Sequence, residues 1–211
     1  MSRLASAAIE RYHRDGFYFP VSVLTPGEAL GMRRRLRLLA PGRDLLGLSA
    51  PDVLTAWVAF TDATVENGAM RMVPGSHAEQ LEHRDTFAPH NLLTRGQEIA
   101  VEVDEARGVD ILLRAGEMSL HHVRMVHGSP ANRAVDRRIG FAIRYIPTYV
   151  RQTAGEGDSA LLVRGVDDYH YFAPEQPPAA DLTPEARTHH AEVVARSAKI
   201  LYRGTGVERF R

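Results

Sequence analysis

Apolar residues recur along this chain with two different periods. From Ser6 to His13, Ile9 and Tyr12 stand three apart and share one face of a predicted helix. Thr25-Pro26-Gly27-Glu28 opens a second, with Thr at the N-cap, Pro at the first helical position and Glu at the capping-box position. Between them Gly16-Phe17-Tyr18-Phe19-Pro20-Val21 is aromatic and β-branched, and predicts a short strand stopped by proline. From Val53 the period changes. Val53 to Phe60 is a buried-strand run, Glu66-Asn67-Gly68 a turn, and Ala69 to Val73 the returning strand. Further strands are predicted at Ile99 to Val103, Met118 to His122 and Ile139 to Ile146. Thr183-Pro184 starts a closing helix that runs to Tyr202, with Val193, Val194, Ile200 and Leu201 on its apolar side. Short strands separated by turn signals predict a mainly β sandwich or barrel flanked by helices.

Composition narrows this picture. A chain of 211 residues fits one domain, 1–211, made of a helical and strand region (1–40), a β core (51–150) and the closing helix (183–202). The 26 basic and 26 acidic residues cancel, so no nucleic-acid or membrane partner is indicated, and Arg33, Arg34, Arg35 and Arg37 read as a solvated helix face. Without cysteine there is no disulfide framework and no thiolate chemistry. Only Lys199 among the basic residues is lysine, which suggests a GC-rich bacterial gene. Met1 to Tyr18 lacks the apolar core of a secretion signal, and no stretch approaches the roughly 20 apolar residues of a membrane helix; a cytoplasmic location is expected.

The densest chemical signal lies between positions 120 and 145. Three histidines, His121, His122 and His127, stand next to predicted strands, and neutral imidazole suits iron, zinc, copper and nickel. Because residues alternate across a strand, at most one of His121 and His122 points inward. A histidine on an apolar strand is as a rule a hydrogen-bonded core residue, so the cluster is a prompt and not an assignment. Arg138, eleven residues after His127, changes the balance. If the chain turns through Gly128 to Asp136 and returns antiparallel, Arg138 comes back near His127 and can grip a carboxylate with its planar fork. The plainer alternative is a strand arginine paired with Asp136 or Asp110.

The segment Ala56-Trp57-Val58-Ala59-Phe60-Thr61-Asp62-Ala63-Thr64-Val65-Glu66-Asn67-Gly68-Ala69-Met70-Arg71-Met72-Val73-Pro74-Gly75-Ser76-His77 resembles the signature strand, Glu-Asn-Gly turn and Pro-Gly-Ser-His loop of the phytanoyl-CoA dioxygenase family. The block from His127-Gly128-Ser129 to Arg138 is similar to that family's distal motif, at the family's spacing. The resemblance covers about Pro51 to Asp181 well and Asp15-Gly16-Phe17 loosely. It implies a double-stranded β-helix (jelly-roll, cupin-like) core with flanking helices. It also implies a non-haem Fe(II)- and 2-oxoglutarate-dependent dioxygenase that hydroxylates a C–H bond of a small-molecule substrate. By the resemblance, His127 is the distal iron ligand, Arg138 binds the far carboxylate of 2-oxoglutarate, and Ser129 hydrogen-bonds to the same group. Trp57 is a core or pocket-wall aromatic, and no catalytic residue is expected beyond the metal site.

One part of the pattern departs. The family's iron is held by a His-X-Asp pair plus the distal histidine, and i and i+2 of a strand face one side. The pair should precede Pro51-Asp52-Val53, where this chain has Gly42-Arg43-Asp44 and no histidine. Asp44 is therefore the candidate carboxylate ligand, with a turn residue after Pro41-Gly42 as its plainer reading. The fold is expected to be incomplete relative to the family. His13, His83 or His90, or a neighbouring subunit, could replace the lost imidazole. The alternative is a catalytically inactive jelly-roll remnant that acts as a small-molecule or protein binding module.

Overall fold

A computed structural model of the chain describes residues 4–36, 47–85, 97–99 and 104–201. These include helix α1 (Ser6–Asp15), strand β1 (Phe17–Ser22), helix α2 (Pro26–Leu36), and strands β2 (Leu54–Ala59), β3 (Arg71–Met72), β4 (His83–Asp85) and β5 (Gln97–Ile99). There follow β6 (Val109–Asp110), β7 (Glu117–His122), β8 (His127–Gly128), β9 (Gly140–Tyr145), β10 (Ser159–Ala160), β11 (Ala173–Pro174) and helix α3 (Pro184–Leu201). The strand predicted at Ala69 to Val73 is laddered only at Arg71 and Met72, although Met70 O still accepts from Ile111 N–H at 2.7 Å. Of the strand predicted over Ile99 to Val103, Ile99 ends β5 and the rest lies outside the described residues.

The described residues within Met1–Pro41, Asp52–Glu82 and Ile99–Tyr145 form one compact unit. It holds two antiparallel sheets, of order β1-β7-β2-β9 and β6-β3-β8. Its core draws on both: Phe17 from β1, Ala59 from β2 and Met72 from β3, joined by Ala63, Ala69, Met70, Ile111, Leu113 and Met125. This is the mainly β jelly-roll class expected from the sequence. Local chemistry explains the elements. Thr25 N–H and Oγ1 each meet Glu28 Oε2 at 2.8 Å, while Glu28 N–H donates back to Thr25 Oγ1 at 3.3 Å, the reciprocal cap that starts α2. Gly16, at φ +82°, ends α1 by donating its N–H to Tyr12 O, and a side chain there would strike Met125 and the His77 ring. The β1–β7 register slips between Tyr18 and Val21, around Pro20, which has no N–H to offer the ladder.

The second unit comprises the described residues within Gly42–Pro51, His83–Glu98 and Ile146–Arg211. A bridge joins Leu48 to Gln152, β10 pairs in parallel with β11, and Thr183 Oγ1 caps α3 by accepting from Ala186 N–H at 3.2 Å. Glu175 takes the Ser159 hydroxyl at 2.5 Å and pairs with His189 Nε2 at 2.6 Å, which ties β10 to α3.

Candidate functional site

The register of the four-stranded sheet decides which side chains meet. Phe17 of β1 stands opposite His121 of β7, His121 opposite Thr55 of β2, and Thr55 opposite Arg144 of β9, one row across the inward face. The next row places Ser119 opposite Trp57 and Trp57 opposite Ala142. Trp57 packs against the core, which identifies this face as the interior one. Strand alternation therefore turns His121 inward, where it is 6% exposed, and leaves His122 on the other face beside His77, ring centroids 5.5 Å apart.

Arg138 and Ser129 come together as expected: the guanidinium donates to Ser129 Oγ at 3.0 Å. The route differs from the simple hairpin anticipated from the sequence. β8 pairs with β3 and β9 with β2, so residues 129–139 cross from one sheet to the other. Arg138 also lies over the Trp57 ring, 5.2 Å from its centroid, a cation–π contact. Trp57 in turn rests on Gly140, where any Cβ would overlap the indole. Asp110 is paired with Arg71 at 3.1 Å, and Arg138 has no carboxylate partner among the described residues. Half-burial lowers the Arg138 pKa from its ordinary value, yet guanidinium starts so high that the charge stays. An anion with two oxygens fits such a fork and hydroxyl.

His127, on the edge strand β8, is exposed, and its Nδ1 lies 2.7 Å from Met125 O. A carbonyl only accepts, so Nδ1 carries the proton and the Nε2 lone pair is free, the usual arrangement of a metal-binding histidine. The His121 ring stands 5.7 Å from that of His127, centroid to centroid. Its Nδ1 is sealed from solvent without a hydrogen-bond partner, as is Ser119 Oγ two residues before it. Burial, then the charges of His127 and Arg144, push the His121 pKa down to about 3, so the ring is neutral. The His122 pKa is also lowered, by burial and then by His77 and Arg124, against Asp52.

Asp44 and His90 lie outside the described residues. His13 belongs to α1, where its backbone oxygen meets His77 Nε2 at 3.2 Å, and His83 belongs to β4. Among the described residues no three His, Asp or Glu side chains converge on one point, so they do not complete the two-histidine, one-carboxylate set that iron would take. The sequence pattern leaves His121 and His122 as equal candidates and does not single out Gly140. A glycine opening a strand is itself a sign of close approach, here by an indole.

The chain is similar to a non-haem monooxygenase, ThoJ, in its apo form: 32% identity over 91% of this chain and 96% of that one, with a TM-score of 0.76. It is 32% identical over 127 residues to dioxygenase aneA of Aspergillus aculeatus, covering 59% of this chain and 38% of that protein. It is also 32% identical over 98 residues to a probable alpha-ketoglutarate-dependent hypophosphite dioxygenase of Stutzerimonas stutzeri, covering 44% of this chain and 34% of that protein. The chain thus spans little more than a third of the length of these two curated relatives. The profile of the phytanoyl-CoA dioxygenase family matches residues 10–140, which takes in β1 through the Arg138 clamp. On this match over more than half of its length, the chain belongs to the phytanoyl-CoA dioxygenase family of non-haem iron, 2-oxoglutarate-dependent oxygenases.

Proposed function

We propose that this chain takes Fe(II) and 2-oxoglutarate and hydroxylates a C–H bond of a small molecule. In this reading Arg138 and Ser129 hold the far carboxylate of 2-oxoglutarate, and His127 is an iron ligand through Nε2. The observation that carries it is the Arg138 fork: stacked on Trp57, hydrogen-bonded to Ser129 at 3.0 Å, and without a carboxylate of its own among the described residues. A half-buried cation normally has an acidic partner, and in this reading a dicarboxylate ligand supplies it. Asp44 is proposed as the carboxylate ligand of the metal. In this family iron and 2-oxoglutarate supply the oxidising chemistry, while the protein binds, orients and excludes water.

A second reading is favoured by one observation, the incomplete donor set among the described residues. In it the chain binds a dicarboxylate or related small molecule without turning it over. Anaerobic titration of the apoprotein with Fe(II) and 2-oxoglutarate separates the two. A visible charge-transfer band that saturates, and is lost in Arg138→Ala and His127→Ala, supports the oxygenase. Calorimetric binding of 2-oxoglutarate that depends on Arg138, with no band, leaves the binder. Absence of Arg138-dependent binding in a folded protein sinks both.

A further inference from the structure

We propose that His121 takes the place of the histidine missing upstream, so that His121 and His127 together bind one divalent transition-metal ion. This rests on the reading of His127 as a metal ligand and adds to it a partner that is neither the family's upstream pair nor His13, His83 or His90. Three observations carry it. His121 faces the interior at 6% exposure, and its Nδ1 is sealed without a partner. Leaving such a nitrogen unsatisfied costs about 1–3 kcal/mol, which a phenylalanine of similar size would avoid. The rings of His121 and His127 are 5.7 Å apart, centroid to centroid. Two imidazoles that share a metal at about 2.1 Å from one nitrogen each have centroids roughly 5 Å apart, so the two rings stand close to the separation a shared ion requires. Finally, Nδ1–H of His127 is already held by Met125 O, which orients that ring and leaves its Nε2 lone pair for a metal.

The other histidine pair does not compete. His77 Nδ1 is likewise sealed without a partner, its Nε2–H being held by His13 O, but the His122 Nδ1 lone pair already accepts from Arg124 N–H at 3.1 Å, so its Nε2 carries the proton and that pair offers only one free lone pair. A two-imidazole site binds more weakly than a three-ligand one and suits copper, nickel, zinc and iron. Its remaining positions are open to a chelating keto acid or to water.

The test loads the full chain with one equivalent of Cu(II) and counts bound imidazoles by pulsed electron paramagnetic resonance. Wild type is expected to show two, and His121→Phe, His121→Asn and His127→Ala one each, with Cu(II) affinity lowered at least tenfold in every variant. Thermal melting without metal shows whether His121 is merely structural: His121→Phe is expected to melt no lower than wild type, since it removes an orphaned polar atom. Should His121→Phe fail to fold, His121→Asn carries the count. If His127→Ala loses an imidazole while both His121 variants keep the wild-type number, this proposal fails and the reading of His127 stands. If all three variants leave copper unchanged, the metal sits on surface histidines and both fail.

Discussion

Burial acts in the same direction on the two halves of the site, yet it leaves them in opposite charge states. His121, sealed inside the sheet, is pushed from 6.5 to about 3 and is neutral at any working pH. Arg138, half-buried over Trp57, is pushed down as well and remains a cation because guanidinium starts far above any working pH. The starting value decides the outcome, and each outcome suits a different ligand. A neutral nitrogen can bind a metal, and a permanent positive charge can hold a carboxylate. The halves also differ in completeness. The proposed clamp has its cation, its hydroxyl and its aromatic support among the described residues, whereas the proposed metal side has two imidazoles.

The buried imidazole gives the largest effect. As pH falls, the unfolded chain takes a proton on His121 near 6.5, but the folded chain only near 3. Between those values the unfolded state holds more protons, so stability falls with falling pH across this window. The loss expected from His121 alone is on the order of 4 kcal/mol by pH 3. Urea denaturation of the apoprotein at pH 7, 5 and 4 is expected to show a markedly shallower decline in His121→Phe than in wild type. Parallel curves would mean that His121 protonates in the folded state without difficulty, and the contrast between the halves would collapse.

Next in size is the clamp. Arg138→Ala is expected to weaken 2-oxoglutarate binding roughly 100-fold, about 3 kcal/mol, by calorimetry. Metal binding through His127 should be unchanged in the same variant. Arg138→Lys keeps the charge but loses the flat stack on Trp57 and the two-pronged geometry, and is expected to be about tenfold weaker than wild type. A loss of metal together with cosubstrate in Arg138→Ala would show the halves to be one coupled unit.

The clamp was legible in the sequence and the inward imidazole was not, for physical reasons. Arg138 and Ser129 follow His127 at the family's spacing within one segment, so the resemblance could suggest roles for them without knowing how that segment folds. The fold confirmed their meeting while changing the path: the segment bridges two sheets and is not a hairpin. Whether His121 or His122 faces inward depends on register, and a slip of one residue would exchange them. The pairing of His121 with Phe17 and Thr55 resolves it. The strands over 54–59, 117–122 and 140–145 were visible because β-branched and aromatic runs are bounded by turn residues. β3 was overestimated because two facing sheets bury residues around it, such as Ala69 and Met70, beyond the ladder itself. Asp44 lies outside the described residues, so its assignment remains the one its position in the sequence suggests.

Gly140 tests whether the clamp depends on its support. A Cβ at this position would overlap the indole of Trp57, so in Gly140→Ala the ring must turn and Arg138 loses its platform. Cation–π contacts contribute about 1 kcal/mol in such settings, which corresponds to a roughly five- to tenfold weaker binding of 2-oxoglutarate. Trp57 is the single tryptophan, so a shift of intrinsic fluorescence reports the ring's displacement directly. Unshifted emission with weakened binding would place the effect elsewhere than in the stack.

Ser129 should matter least, and the size of its effect is informative. Its hydroxyl accepts one guanidinium hydrogen bond and sits where it can donate to a bound carboxylate, so Ser129→Ala removes an ordering contact without removing charge. A single such bond is worth about 1 kcal/mol net, and a roughly three- to fivefold loss of 2-oxoglutarate affinity is expected. Ser129→Thr, which keeps the hydroxyl, should restore most of it. If Ser129→Ala instead equals Arg138→Ala, the serine is what aims the fork, and the cation without it is only a nearby charge. If it changes nothing while Gly140→Ala does, the Trp57 stack alone orients Arg138. The ratio of the two losses therefore measures how the clamp divides its aim between a hydrogen bond and an aromatic face.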